Sequence, residues 1–554
     1  MSRRRRVAVV TGGGGGIGAA VAEELGRGGW VVVTLDPLVS LDGSERLPAP
    51  EQTTAGRIVA GGGTALASSV SVTDAGAVHA LFGELVDQYG GLDAVVNVAG
   101  ITRQSGFAHG TEEDWRALLD VHLGGFLNML DAALPIMVEA GHGRILGVTS
   151  GSGWRVADAG GYSAAKRVVA SLAWQLGRAM PPGVTVNAMS PIAATRMVAA
   201  AAERARQAGR TGAGGGLNLF KSMPGPEDLG PLGAYLVGDG FGWCTGQVLF
   251  AGGSEMAVID RPRLLEVVRS DGAVSLAGVL RAVLPRAFAT AEAAQASDGG
   301  GNPRFGPIFD QPAPDETALS PVRSCAIVTN RPGLGASITA ALEARSVAGH
   351  RLPVMHGFAE AAETLRSAVE RSGPIDAVVL APTGRSSAGG AASSWERIMA
   401  EHRGIVEDIH TDAGWARAVA DQAAVAGRPI RLVTLTDATT AGGHSRAQAA
   451  AQLARVAPST TEGRVTAFAA ALEATEEHVA GPVAQLVAHL LTEPEATSLA
   501  GAELVVGAGW IGLRSHPRPA GAVTYGGPAV PDWLDATLRE IVGVDGPPSA
   551  GKAP

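Results

Sequence analysis

The chain has 554 residues, 46% of them hydrophobic but only 4% aromatic, with 77 glycines and a formal net charge of -9. At roughly 100–200 residues per domain, that length favours two large domains. The acidic balance argues against a nucleic-acid surface, and Cys244 and Cys325 supply neither a disulfide framework nor a metal-ligand spacing.

In chain order, the run Arg3 to Arg6 reads as a solvated tail, because no apolar stretch of signal-peptide type follows it. No stretch of about 18 uncharged apolar residues is found, so no membrane span is expected, and a cytoplasmic location is expected. A strand at "VAVVT", a glycine-rich turn, a helix through Ala20 and Leu25 and a strand at "WVVVTLD" open the chain. Further strands are predicted at "LDAVVNVAG", "GRILGVTS", "GVTVNAMSP" and "GQVLFAGG", with helices between them, including Glu112 to Ala140 and Tyr162 to Arg178. Strands alternating with helices predict a parallel sheet covered on both faces. Residues 198–224 are rich in Ala and Gly and are expected to form a lid. A helical extension is expected over 256–289, and a polar Gly- and Pro-rich linker over 290–322.

The pattern then starts again. "CAIVTNRPGLGASI" echoes "VAVVTGGGGGIGAA", "WERIMAEHRG" echoes "WRALLDVHLG", and "GGHSRAQ" echoes "GGYSAAK". Echoes in the same order indicate internal duplication. The expected architecture is therefore α/β, with two tandem Rossmann-like, doubly wound parallel-sheet domains. They span 1–289 and 323–515, and a Pro/Gly-rich tail follows over 516–554.

"TGGGGGIG" runs from Thr11 to Gly18 between a strand and a helix. Such a turn lets the backbone approach a pyrophosphate, and the helix N-terminus favours its charge. Asp36 ends the second strand, where a carboxylate accepts the ribose hydroxyls of NAD and repels the 2′-phosphate of NADP. No basic residue occupies the turn or position 37, so NAD is the expected cofactor. The alternative is that Asp36 caps the turn before Pro37. Tyr162 and Lys166 lie four apart at the start of a helix and share a face. A lysine beside a tyrosine favours the phenolate. Ser150 ends a strand twelve residues earlier, with Thr149 and Ser152 as alternatives for the same hydroxyl. This set points to proton transfer at Tyr162 coupled to hydride transfer.

The "TGxxxGIG" turn, the "NVAG" at Asn97 to Gly100 and the "YSAAK" at Tyr162 to Lys166 together resemble the short-chain dehydrogenase/reductase family over residues 7–255. The resemblance implies a catalytic set of Ser150, Tyr162 and Lys166. It implies cofactor contacts from Thr11, Gly12, Gly16, Ile17, Gly18, Asp36, Asn97, Ala99 and Gly100, and from Ser71 and Val72 at the adenine. Lys166 would also hold the nicotinamide ribose, and Pro191 and Thr195 would close over the carboxamide. His122 stands where the family usually has asparagine. It holds the water that leads from the lysine to solvent, or it is a packing residue. No metal is expected. Pocket walls from Trp154, Val156, Ile192 and Met197 suggest an apolar hydroxy or keto substrate, such as a 3-hydroxyacyl thioester, an alicyclic or steroid-like alcohol or a polyketide. An extended-branch epimerase or dehydratase would show a different glycine spacing, and a non-enzymatic NAD-responsive scaffold would not need the catalytic set.

The second copy cannot run this chemistry. Tyr162 aligns with His444, Lys166 with Gln448 and Ser150 with about Asp437, and Asn330 replaces the first glycine of the turn. The family associates through the two long helices after "NVAG" and at "YSAAK". The second copy keeps both, so it is expected to pack on the first as a built-in pseudo-dimer partner. Pairing of two chains into a homodimer would be a further step.

Overall fold

The computed structural model describes residues 4–156, 160–207, 223–269, 275–295, 321–384 and 390–543. Its first lobe runs β1 (Val7–Thr11), α1 (Gly16–Arg27), β2 (Val31–Leu35), α2 (Thr54–Ala60), β3 (Thr64–Ser68), α3 (Ala75–Tyr89), β4 (Ala94–Asn97), α4 (Glu112–Leu119) and α5 (Gly125–Ala140). It continues through β5 (Gly143–Val148), α6 (Gly160–Ala179), β6 (Val184–Pro191), α7 (Arg196–Gln207), α8 (Gly230–Leu236), β7 (Val248–Gly252) and β8 (Glu255–Asp260). β1 and β2 are buried along their whole length, as befits central parallel strands covered on both faces, which read as unbroken apolar runs.

The second lobe comprises β9 (Leu264–Arg269), α9 (Leu276–Val283), α10 (Ala289–Ala293), β10 (Ser324–Val328), α11 (Pro332–Glu343), β11 (Ala348–Leu352), α12 (Phe358–Ser372), β12 (Ala377–Leu380), α13 (Ser394–Glu401) and α14 (Ile405–Ala426). β13 (Ile430–Asp437), α15 (Ala441–Thr460), β14 (Val465–Leu472), α16 (Glu476–Thr492), β15 (Glu503–Gly507) and β16 (Trp510–Arg514) complete it. β17 (Arg518–Thr524) and α17 (Leu534–Val542) follow.

The two sheets have the orders β17-β8-β7-β6-β5-β4-β1-β2-β3 and β9-β16-β15-β14-β13-β12-β10-β11. Strand for strand they match, except that β3 has no counterpart in the second sheet among the described residues. Both are parallel apart from two antiparallel strands at one edge. Each lobe is therefore a Rossmann-like, doubly wound α/β unit.

The boundaries differ from those expected. The segment 256–289 is not a helical extension of the first lobe. β8 closes the first sheet, and β9 crosses over to pair with β16 at the edge of the second. Leu280, Leu284 and Phe288 then pack with Ile327, Leu334 and Ile338 in the second core. In return the tail over 516–554 is partly structured. β17 pairs with β8 at the edge of the first sheet, and Leu534 and Leu538 join the first core. Each lobe thus completes its sheet with a strand reached by crossing to the other side. Of the expected lid and linker, 208–222 and 296–320 lie outside the described residues, as do 544–554 of the tail.

The lobes meet through helices. α6 lies along α15, where Ser445 Oγ donates to Ser171 Oγ (2.9 Å) and Gln175 Nε2 donates to Ser445 Oγ (2.9 Å). Ile405, Val406, Ile409 and Ala449 of the second lobe join the cluster of Phe126, Leu130 and Val168. The helical run Glu112–Ala140 is long and apolar enough to cross a bilayer by length and composition. Here Met129 and Leu130 are buried within the protein instead.

Candidate active site

The glycine turn is built around close approaches. Gly12 and Gly16 have φ of +64° and +54°, the left-handed region that glycine enters at little cost. A β-carbon on Gly18 would lie 2.3 Å from the carbonyl oxygen of Gly12, so α1 starts directly against the turn with Ile17 partly buried beside it. The Thr11 hydroxyl donates to Asn97 Oδ1 (3.0 Å) and accepts from the amides of Val98 and Ala99 (both 3.0 Å). It ties the ends of β1 and β4 together under the turn. Gly15, at the N-cap of α1, provides no side-chain cap. The first amides of that helix are thus left to a ligand or solvent.

Asp36 reaches back to this turn. Its Oδ2 accepts from the Gly14 amide (2.9 Å) and its Oδ1 from the Leu38 amide (2.8 Å). Capping the following turn and standing beside the phosphate loop are thus compatible, since each carboxylate oxygen keeps a second lone pair. One basic group does stand at the turn. Arg196, on α7, brings Nη2 to 3.6 Å from where a β-carbon of Gly15 would be. Thr195 Cγ2 lies 4.0 Å from the corresponding position on Gly16, and Thr195 Oγ1 accepts from the Val198 amide at the start of α7 (3.3 Å). Pro191 ends β6, and the next amide, of Ile192, bonds to Ala251 (2.8 Å). At the expected adenine side, the Ser71 hydroxyl pairs with that of Thr73 (2.8 Å). The Val72 side chain is buried, and its carbonyl accepts from Asn128 Nδ2 (2.9 Å).

Ser150, Tyr162 and Lys166 come together where β5 ends and α6 begins. Burial raises the Tyr162 pKa, against which a hydrogen bond with Ser150 and the positive charge of Arg155 act in the opposite sense. Lys166 Nζ donates to the Val148 carbonyl (2.7 Å) and sits 5.6 Å from the centre of the Tyr162 ring. Lys166 is 3% exposed, and burial brings its own pKa down to about 7. Of the alternative hydroxyls, Thr149 is occupied with the Lys166 carbonyl (2.6 Å). Ser152 donates to Ser150 Oγ (3.2 Å) and so supports it.

His122 lies in a π-helical turn between α4 and α5, and its ring meets that of Tyr162 edge-on at 4.9 Å. Its Nε2 is 2.8 Å from the Ile101 carbonyl, while Nδ1 is buried with no partner among the described residues. Burial, then the charge of Lys166, hold its pKa at about 3, so the ring is neutral. Gly100 makes room for it: a β-carbon there would lie 2.4 Å from the ring. His402, its counterpart, instead bonds to Ile398 and Ser445 at the lobe interface. Of the expected pocket walls, Trp154 is 3% exposed and belongs to the core. Its neighbour Arg155 is the residue whose charge reaches Tyr162.

The corresponding site in the second lobe is filled from within. Glu476 Oε1 accepts from the Leu334 amide in the first turn of α11 (2.6 Å), and its Oε2 pairs with Arg331 Nε (3.0 Å). A carboxylate thus occupies the helix N-terminus that a phosphate would need. Asn330 and Thr383 close the turn by reciprocal hydrogen bonds, and Gln448 Nε2 is held 2.9 Å from His444 Nε2.

A family model described as short chain dehydrogenase matches residues 6–206. The short-chain reductase protein NovJ of Streptomyces niveus is 36% identical over 193 residues, covering 34% of this chain and 69% of that protein. The 3-oxoacyl-[acyl-carrier-protein] reductase FabG of Staphylococcus aureus is 33% identical over 178 residues, 32% of this chain and 69% of its own length. An uncharacterised NAD-dependent oxidoreductase of Mycobacterium tuberculosis is 30% identical over 247 residues, 41% of this chain and 88% of its own. Both lobes together are similar in fold to the N-domain of a bacterial malonyl-CoA reductase crystallised with NADP. That likeness has a TM-score of 0.63 and 15% identity, and covers 91% of this chain and 97% of that one.

Proposed function

Since the chain belongs to the short-chain dehydrogenase/reductase family, we propose that its first lobe interconverts a secondary alcohol and a ketone with NAD as the hydride carrier. The observation that carries this reading is the convergence of Ser150, Tyr162 and Lys166 beside an uncapped glycine turn, while the same turn in the second lobe is blocked by Glu476. The nicotinamide ring, when bound, accepts or donates the hydride. In the oxidative direction Tyr162 Oη takes the hydroxyl proton as the C–H hydride leaves, and in reduction it returns that proton. Ser150 Oγ holds the substrate oxygen. Arg155 opposes the effect of burial on the phenol, which matters because a general base works best with a pKa near the working pH.

Asp36 supports NAD, and so does the name of the Mycobacterium tuberculosis relative. Arg196 is suited to the pyrophosphate, beside which it would stand. The substrate class is read as a 3-hydroxyacyl thioester, supported by relatives named 3-oxoacyl-[acyl-carrier-protein] reductase. The second lobe is read as a built-in partner that packs α15 against α6. The test is a screen of 3-hydroxyacyl thioesters and alicyclic alcohols that follows NADH absorbance. Turnover should be lost in Tyr162→Phe with NAD binding retained. Turnover that persists in this variant would refute the assignment.

A further inference from the structure

Residues 150–155 form a tight turn that carries Ser150 and Arg155 to Tyr162. The amide of Gly153 closes on the Ser150 carbonyl (3.0 Å), and those of Trp154 and Arg155 close on Gly151 (3.1 and 3.0 Å). On one side the turn lies directly on α6, since a β-carbon at Gly153 would be 3.0 Å from the Arg167 nitrogen. Its other side presents the carbonyls of Ser152, Trp154 and Arg155. All three are met by the second lobe. Gln452 Nε2 donates both its hydrogens, to Ser152 (3.0 Å) and Arg155 (2.8 Å), and Arg455 Nη1 donates to Trp154 (2.9 Å). Gln452 is 3% exposed, on the face of α15 that also carries Ser445 and Ala449, both of which meet the first lobe. The residue aligned with it in the first copy is Ala170, which has no side-chain donor.

We propose that the non-catalytic lobe sets the geometry of the catalytic site through Gln452 and Arg455, which act as positioning residues for the turn that carries Ser150 and Arg155. A buried carbonyl left without a donor is costly, so the turn keeps this shape while α15 supplies the donors. Neither residue is among those expected to touch substrate or cofactor. Their effect passes through Ser150, which must hold the substrate oxygen, and Arg155, whose charge faces the phenol. The second lobe is then part of the active-site architecture rather than a packing surface alone. The kinetic part of this inference rests on the oxidoreductase reading above, and the structural part does not.

The test uses the full chain and two variants, Gln452→Met and Arg455→Met. Hydrogen exchange needs no substrate: the amides of Gly153, Trp154 and Arg155 should exchange faster in each variant, with those of α6 unchanged. With a substrate in hand, kcat should fall about tenfold or more in Gln452→Met, because small misplacements of reacting groups cost that much. The Kd for NAD should stay within about twofold, the change expected where no contact to the cofactor is lost. Unchanged exchange in both variants would overturn the proposal. So would unchanged kcat in a wild-type-active enzyme, or a fall in kcat matched by an equal fall in NAD affinity. If Gln452→Met does not fold, Arg455→Met alone decides through the exchange of Trp154 and Arg155. A wild-type chain with no turnover would count against the oxidoreductase reading only.

Discussion

A carboxylate and a phosphate are attracted to a helix N-terminus for the same reason: both accept from unsatisfied amides and meet the positive end of the helix dipole. Glu476 uses this in the second lobe, whereas α1 of the first lobe has no side-chain cap. His444 and Gln448 then bond to each other in place of a tyrosine and a lysine. His444→Ala should accordingly leave turnover within about twofold, as expected for a substitution that touches neither substrate nor cofactor. Loss of activity in a folded His444→Ala protein would show a second working site. The proposed preference for NAD rests on Asp36. The wild type should show the higher kcat/KM with NAD than with NADP. Asp36→Ala should narrow the gap about tenfold, the effect of ~1.4 kcal/mol of relieved repulsion. Equal use of both cofactors by the wild type would remove the NAD assignment and leave the hydride chemistry standing.

Among the elements, β9 and β17 do what local pattern did not announce. β9 is a six-residue edge strand with Leu264, Leu265 and Val267 exposed at 46%, 36% and 45%. β17 alternates exposed and half-buried residues along the opposite sheet. The amphipathic stretch at 534–542 is a helix whose Asp535 accepts from Tyr235 Oη (3.0 Å) and Trp243 Nε1 (2.7 Å) of the first lobe. A chain ending at residue 300 would keep β9 and α9 without the sheet and core they complete, and would lose β17. Unpaired apolar edges and faces drive association. Such a fragment should therefore elute as aggregate and unfold at least about 2 °C below the full chain, the shift that ~1 kcal/mol produces in a domain of 150–250 residues. A monodisperse, fully active fragment would show that the first lobe is self-sufficient.

For the molecule as a whole, the two lobes are joined through a buried charge cluster. Arg167, next to Lys166, pairs with Glu503 of β15, which also lies 3.4 Å from His516 Nδ1. Burial by itself would raise the Glu503 pKa, but Arg167 and then His516 hold it down at about 2, below its ordinary 4.5. A carboxylate with a depressed folded pKa stabilises the protein above its unfolded pKa, and that contribution is lost as pH falls through the folded value. The contribution of Glu503 is thus complete above 4.5 and disappears towards 2. Glu503→Gln leaves Arg167 buried without its counter-charge, which costs about 3–5 kcal/mol. Urea unfolding at pH 7 should show that loss, and the gap from wild type should shrink between pH 4.5 and 2. A gap that is constant with pH would mean that Glu503 is not the group responsible.

The glycine turn, Asp36, Ser150 and the Tyr162–Lys166 pair are legible along the chain, because each depends on near neighbours: a turn needs consecutive glycines, and a shared helix face needs a spacing of four. The duplicated α/β order is legible for the same reason, since each lobe repeats its apolar runs in register. The buried Trp154, the charge of Arg155 and the neutral His122 depend on which surfaces the fold covers. Arg196, Glu476, Gln452 and Arg455 meet segments 142 to 301 residues away, and no local pattern marks them. The crossing of β9 and β17 between lobes belongs with these. A strand's partner is chosen by which sheet edge is open once both lobes have packed, and that is a property of the assembled tertiary structure.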